Sequence, residues 1–348
     1  MDLKRIDEAL ADFDQAIALN PDYSDALWNR ANARLLVGRY EEGWADYEWR
    51  WRAEPTSPPR SDLGRPQWRG GAEVRNKTLL LHAEQGFGDT IMVARYVRLL
   101  VEKGARIVIE APDALLPLLA EIDGVAQVVI AGQTLPAFDL HCPMMSLPRA
   151  FGTTLDTIPT EVPYLSVPKL YREKWQGRLQ HFRRPRIGIS WAGRPTFKRD
   201  LDRSIGLTPM LTLLSGADVH FFSIQKFLRE GDADLLQSNP RIVQLGESIK
   251  DFADTAAIIS SLDLVISSDT STVHLAGALG KPVWILLHFV PDWRWMLDRP
   301  DSPWYPTATL FRQPERGDWA TVVAEVGREL ESWFVAMRHQ RKNSDIPF

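Results

Sequence analysis

From Lys77 onward, apolar runs of strand length alternate with helix-forming stretches, and the alternation starts twice. The first series opens with a strand at Thr78–Ala83, a helix at Thr90–Lys103 and a strand at Arg106–Glu110. A helical stretch at Pro112–Ala120 and short strands at Val125–Ile130 and Phe138–His141 complete it. A Pro-rich crossing follows at Ile158–Pro168, and a second series begins with a strand at Arg186–Trp191. Part of a helix at Met210–Leu214 and a strand at Asp218–Ile224 come next. Arg241–Leu245, Phe252–Ser260, Leu262–Ser267, Thr272–Leu279 and Pro282–Leu287 continue the rhythm, and Asp318–Arg338 reads as a long amphipathic closing helix. Strand–helix–strand alternation builds a parallel sheet with helices on both faces. Two series predict two wound lobes with a cleft between them, and in such sheets a ligand sits beyond the carboxyl ends of the strands.

The front of the chain follows a different rule. Shifted by 34 residues, it matches itself: Arg5 meets Arg39, Glu8 meets Glu42, Ala11 meets Ala45, Asp12 meets Asp46 and Pro21 meets Pro55. That period, with Gly38-x-Tyr40, Ala45 and a closing Pro55, resembles the tetratricopeptide repeat. One second helix and one complete pair, Ser24–Val37 and Arg39–Ala53, are expected. Such units bury their apolar faces on neighbours and need about three copies to stand alone. Either the segment packs on the domain that follows, or it is the tail of a longer array. Trp44, Trp49 and Trp51 are therefore read as packing residues at that junction. Thr56–Asn76, rich in Pro, Gly and Arg, reads as a linker.

The formal net charge of −4 argues against a nucleic-acid partner, which needs a basic face; Arg183-Arg184 and Lys198-Arg199 are local basic spots only. The one cysteine, Cys142, has no partner for a disulfide, and no His or Cys cluster has metal-ligand spacing. With no signal-peptide stretch at the start and no apolar run long enough to span a bilayer, a soluble, cytoplasmic protein is expected.

Four segments could carry chemistry. Glu84-Gln-Gly-Phe-Gly-Asp89 joins the first strand to its helix, where Gly86 and Gly88 permit a tight turn and Asp89 stands at the helix start. It fits a capped structural turn as well as a ligand-binding one. The segment from Val265 to Val283 ends a buried strand in Ser267, Ser268, Asp269, Thr270, Ser271 and Thr272, then starts a small-residue helix containing His274. Free amides and the positive helix end suit an anion there, and the hydroxyls add donors. The bland alternative makes Ser268 or Asp269 an ordinary cap and His274 a packing residue. Asp269, an acid that would repel phosphate, is cast as an organiser of the loop. The loop Ser190–Ser204 supplies Arg194, Lys198, Arg199 and Arg203 as phosphate-neutralising cations, with Gln225 and Lys226 at the same sheet edge. The aromatic stretches Pro291–Trp295 and Ser302–Tyr305 could stack on a base or sugar, or simply anchor their loops.

Asp269-Thr270-x-x-x-His274-Leu-x-x-Ala278 with Pro282, together with Gly88-Asp89, resembles the bacterial ADP-heptose:lipopolysaccharide heptosyltransferases (glycosyltransferase family nine type), in the branch that carries N-terminal tetratricopeptide repeats. The chain is more distantly similar to the repeat-bearing O-linked N-acetylglucosamine transferases. The likeness covers roughly residues 77–330. It implies an α/β GT-B fold of two Rossmann-like lobes behind a short all-α repeat segment. The implied division is 1–55 repeats, 56–76 linker, 77–168 acceptor lobe, 169–312 nucleotide-sugar donor lobe and 313–348 a terminal helix crossing back. The resemblance further implies that Asp89 deprotonates the acceptor and that Thr270, Ser271, Thr272 and His274 hold the donor diphosphate. Arg203 takes the place of a donor-contacting lysine, and Gln225 that of a ribose-binding glutamate. It implies inverting transfer from a nucleotide sugar, without metal or cofactor, to a saccharide or protein acceptor that the repeats could recruit. The competing readings are a catalytically silent scaffold whose repeats bind a protein partner, and another nucleotide-sugar enzyme on the same fold, such as an epimerase.

Overall fold

A computed structural model describes residues 4–53, 60–195, 200–214 and 219–343. Among the described residues, ten strands form two all-parallel sheets. The first contains β1 (Thr78–His82), β2 (Arg106–Ala111), β3 (Val125–Ile130) and β4 (Leu140–Pro143), in the order β3-β2-β1-β4. The second contains β5 (Ile187–Ser190), β6 (Phe221–Ser223), β7 (Ile242–Gln244), β8 (Leu264–Ser268), β9 (Val283–Leu287) and β10 (Ala308–Arg312), in the order β10-β9-β8-β5-β6-β7. Strand order reverses between β1 and β4 and between β5 and β8. These are the two places where a doubly wound sheet opens a crevice at its carboxyl edge. Apolar residues on β5 and β8 are buried on both faces, as strands covered by helices on each side must be.

Several boundaries differ from the sequence expectation. The helix expected over Thr90–Lys103 is two, Phe87–Val93 and Tyr96–Glu102. Arg95, at the break, turns inward: its Nε donates to the Met92 carbonyl at 2.8 Å and its Nη1 to the Trp304 carbonyl at 2.7 Å. The helix Lys169–Leu179 and strand β10 were not expected at all. The supposed linker is partly bound into the first lobe. Trp68 is buried and its amide donates to the His141 carbonyl at 2.7 Å, so Gln67 pairs in parallel with the edge strand β4. The apolar Trp68, Val74 and Leu63 cover sheet surface that would otherwise meet water. The final helix, Trp319–Asn343, was expected to cross back. Its buried Val322, Val323, Val326 and Leu330 pack with Ile187, Ile189, Leu207 and Phe311 on the second lobe.

The front helices are Ile6–Leu19, Ser24–Leu36, Tyr40–Tyr47 and the single turn Arg50–Ala53. Arg30 donates to Asp46 at 2.7 and 3.0 Å and to Asp14 at 2.7 Å, and Arg34 adds a bond to Asp46 at 2.7 Å, tying the first three helices together. The turn before Tyr40 needs a glycine: Gly38 has φ of +82°, and a Cβ there would stand 2.8 Å from Leu155 Cδ1. Here the repeats meet the lobes. Trp44 packs edge-on against Trp293 (centroids 5.2 Å apart) and Tyr40 stacks on Trp304 (6.1 Å). Trp44 Nε1 donates to the Thr153 carbonyl at 2.9 Å, and Trp304 Nε1 to the Tyr40 hydroxyl at 3.0 Å. Trp44 thus serves as the packing residue expected of it. Trp293, Trp295, Trp304 and Tyr305 are themselves buried, so the aromatic stretches act as anchors. Trp44→Ala should destabilise the fold by about 3–5 kcal/mol, the usual range for deleting a buried tryptophan. Denaturant titration followed by tryptophan fluorescence checks this; a loss under about 1 kcal/mol would mean that the junction is not held by this ring.

Candidate active site

The carboxyl edge of the second sheet builds the site. β8 ends at Ser268, and the helix Ser271–Ala278 starts three residues later. Thr270 caps that helix, its hydroxyl accepting from the Thr272 amide at 3.3 Å; neither Ser268 nor Asp269 does. Ser268 instead donates through its hydroxyl to the Trp191 carbonyl at 3.1 Å, joining the ends of β8 and β5. Thr270, Ser271 and Thr272 face a cleft of about 190 Å³. Ser190, Ala192, Arg194, Gln225 and Lys226 line its second-lobe side, and Phe87 and Ala114 reach in from the first lobe. The Arg194 guanidinium lies 5.4 Å from the centre of the Phe87 ring, bridging the two lobes.

Gln225 lines this cleft but its amide is fully engaged. Its Oε1 accepts from Ser190 Oγ (2.9 Å) and from the Trp191 and Ala192 amides (both 3.1 Å), and its Nε2 donates to the Ala192 and Phe227 carbonyls. It braces the backbone of the loop after β5. Arg203 is bonded to Asp200 at 3.4 Å, beneath Gly193, and does not line the cleft. Lys198 and Arg199 lie outside the described residues.

Asp89 and His274 both stand at the lobe interface. The Gly86 amide donates to Asp89 Oδ2 at 2.8 Å, closing the turn after β1. Asp89 Oδ1 accepts from Arg294, which reaches across from the second lobe. Arg294 is almost fully buried; its Nη1 also donates to Asp292 Oδ1 at 2.6 Å, and its guanidinium lies 4.2 Å from the Trp293 ring centre. Burial opposes its charge, but Asp292 and Asp89 outweigh that and hold the guanidinium protonated. His274 is buried, stacked on Trp295 at 5.3 Å, with Nδ1 2.9 Å from the Tyr305 hydroxyl. Burial, with Arg294, Arg95 and Arg203 nearby, pushes its pKa well below the ordinary value. Its other ring edge lies against Gly88. A Cβ on Gly88 would stand 2.7 Å from His274 Cδ2 and 3.5 Å from Ser271 Cα, so the helix starts of the two lobes touch through a missing side chain.

The structure therefore brings the half-buried Gly88 and Asp89 and the buried Asp269 and His274 to one seam between the lobes, with Gly86 exposed at its edge, and Thr270, Ser271, Thr272 and Gln225 into the adjoining cleft. Arg294, missing from the sequence expectation, is the hinge between carboxylates of both lobes. The one hint of it was a charge standing between two tryptophans in Trp293-Arg-Trp295. Among the described residues, no three His, Cys, Asp or Glu side chains come together as a metal site, and no helix is long and apolar enough to cross a membrane.

Gly88→Ala should lower stability by about 1–3 kcal/mol through overpacking; an unchanged urea midpoint would show that the seam can open to admit a methyl group. Asp269 gives a pH test. Burial pushes its carboxyl up to about 6, Asp292 adds to this, and Arg203, Trp295 and Arg294 pull the other way. A carboxyl whose pKa is higher folded than unfolded stabilises at low pH, and that contribution is lost as pH rises through the folded value. Relative to Asp269→Asn, the unaltered protein should therefore lose stability between about pH 4 and pH 6 and then level off. Denaturation midpoints across that range decide it, and parallel curves for the two proteins would contradict it.

Residues 1–38 match the TPR repeat family. Protein FlbA of Caulobacter vibrioides is 25% identical over 368 residues, an alignment that takes in 96% of this chain and 60% of FlbA, so the chain spans about 60% of that relative's length. Among solved structures, E. coli ADP-heptose lps heptosyltransferase II superposes with a TM-score of 0.53 at 15% identity, over 75% of this chain and 99% of that one. The glycosyl transferase family 9 protein of Veillonella parvula superposes with a TM-score of 0.51 at 10% identity, over 74% and 90%. The chain carries the two-lobed GT-B fold of the family 9 heptosyltransferases, behind a helical segment of tetratricopeptide type.

Proposed function

We propose that this protein transfers a sugar, with inversion and without a resident metal, from a nucleotide-sugar donor to a saccharide or protein acceptor in the cytoplasm. The observation that carries the reading is the meeting, across one lobe interface, of an anion-suited helix start on the second lobe with a carboxylate on the first. The amides and hydroxyls of Thr270, Ser271 and Thr272 receive the donor diphosphate, where the helix dipole favours negative charge. Arg194 and Lys226 line the same cleft, and Arg203 stands behind it, so cationic side chains stabilise the leaving diphosphate. Gln225 shapes the ribose end by holding the backbone of the loop after β5. His274 supports the cradle from beneath.

Asp89 accepts the proton of the acceptor hydroxyl as its oxygen attacks the anomeric carbon from the face opposite the diphosphate. The bonding pair leaves with the nucleoside diphosphate, and Arg294 fixes the carboxylate's direction. In a folded Asp89→Asn variant, turnover should fall about 10²- to 10⁴-fold, the usual worth of a general base, while nucleotide binding persists. Nucleotide binding is read by thermal shift, where ligand at a hundred times its Kd adds about 2.7 kcal/mol. Unchanged turnover in that variant would remove Asp89 from the role.

One observation favours the silent-scaffold reading: both Asp89 oxygens and both ends of the Gln225 amide are already bonded within the protein. That reading expects partner capture through the repeats with neither donor hydrolysis nor transfer, and detection of either reaction by product chromatography excludes it.

A further inference from the structure

The last repeat helices do not stop at the lobe surface; they enter the turn that carries Asp89. Arg50 is 2% exposed. Its Nε donates to Glu84 Oε2 at 2.9 Å and its Nη2 to Glu84 Oε1 at 2.8 Å, a two-pronged pair with the first residue of that turn. Nη2 also donates to Ser146 Oγ at 2.8 Å and Nη1 to Glu48 Oε1 at 3.0 Å, while Glu84 accepts the Met145 amide at 3.0 Å. The Tyr47 hydroxyl donates to Gln85 Oε1 at 3.0 Å. Gln85 has a φ of +59°, a left-handed conformation that a side-chain-bearing residue keeps only where its surroundings over-determine it. The next residue is Gly86, whose amide bonds to Asp89.

The same helix grips the opposite support of Asp89. Trp44 and Tyr47 pack edge-on against Trp293, at 5.2 and 6.3 Å, and Trp293 precedes the Arg294 that pairs with Asp89. A plain staple between domains would be cheaper as an apolar contact, since burying a charge pair carries a desolvation cost. A guanidinium bonded by two nitrogens to one carboxylate does something more: it fixes distance and rotation together.

We infer that Arg50 and Tyr47 are positioning residues for the Asp89 carboxylate, so that the repeat segment is a built-in wall of the reaction site as well as a place for partners to bind. The inference rests on the role proposed for Asp89, and it is tested in a way that separates the two. Arg50→Lys keeps the charge and loses the fork; Tyr47→Phe loses only the hydroxyl. In the full chain, both variants should exchange the amides of Gly86–Asp89 about tenfold faster, the effect of one ordinary hydrogen bond. Exchange in β8 and nucleotide affinity should stay unchanged. Turnover number should fall about tenfold with the donor KM unaltered. Unchanged exchange at Gly86–Asp89 in both variants overturns the inference. Faster exchange spread evenly over the chain overturns it too, because the contacts would then be structural only. So does local loosening without loss of turnover. An unaltered protein that turns over no sugar sinks the transferase reading, and exchange alone then decides whether the repeats hold this turn.

Discussion

Three short helices and a final turn cannot bury their own apolar faces, and the rest of the molecule is arranged around that shortage. Tyr40, Trp44 and Tyr47 need a partner surface, and the loop after β9 supplies it with Trp293 and Trp304. Each edge-on or stacked aromatic pair adds about 0.5–1.5 kcal/mol beyond its buried area, and here several share the same rings. Because Trp44 also bonds to Thr153 and Arg50 to Glu84, the repeats touch both lobes. The cluster therefore does not merely attach a module. It sets how the first lobe's Asp89 turn faces the second lobe's Arg294.

The seam between the lobes is buried and polar, which is costly unless every charge is answered. Arg294 answers Asp89 and Asp292 at once. His274 stays neutral between Tyr305 and Trp295, where a second positive charge beside Arg294 would be repelled. The cleft that opens next to this seam is walled by hydroxyls and by amides at a helix start. In the function proposed above, the chemistry divides between a pre-paired carboxylate and a neighbouring space suited to an anion.

Much of the fold was legible in the sequence because its signals were local. Strands such as β1 and β8 are continuous apolar runs, and the repeat announces itself by its period. The misses have physical reasons. Lys169–Leu179 buries only Trp175 and Leu179 in the core, so it shows no apolar stripe, and polar bonds add to its hold: Lys174 and Trp175 both bond to Asp254. Trp68 and Val74 sit in a stretch dominated by Pro, Gly and Arg, which masks two residues that are buried. At the site, hydroxyl clustering at the end of β8 marked one cleft wall, and the Gly-x-Gly-Asp turn marked the adjoining seam, with only its Phe87 lining the cleft. What no single segment could reveal was pairing across distance. Asp89 with Arg294 and Glu84 with Arg50 exist only once the lobes and repeats are assembled. Gln225 shows the converse: its position at the sheet edge was readable, but the bonds that occupy its amide were not.

The forked Arg50–Glu84 contact also bears on how such chains can change over time. Repeat arrays ordinarily lengthen, shorten and exchange units, because each unit touches only its neighbours. The unit that ends in Arg50 has lost that freedom, since its neighbour is a turn in another domain. Units can be gained, lost or recombined ahead of Ser24, whereas this last one must be inherited together with Glu84, Trp293 and Trp304 as a single block. Chimeras that join foreign repeats to these lobes should therefore be cut upstream of Ser24, leaving the final pair in place.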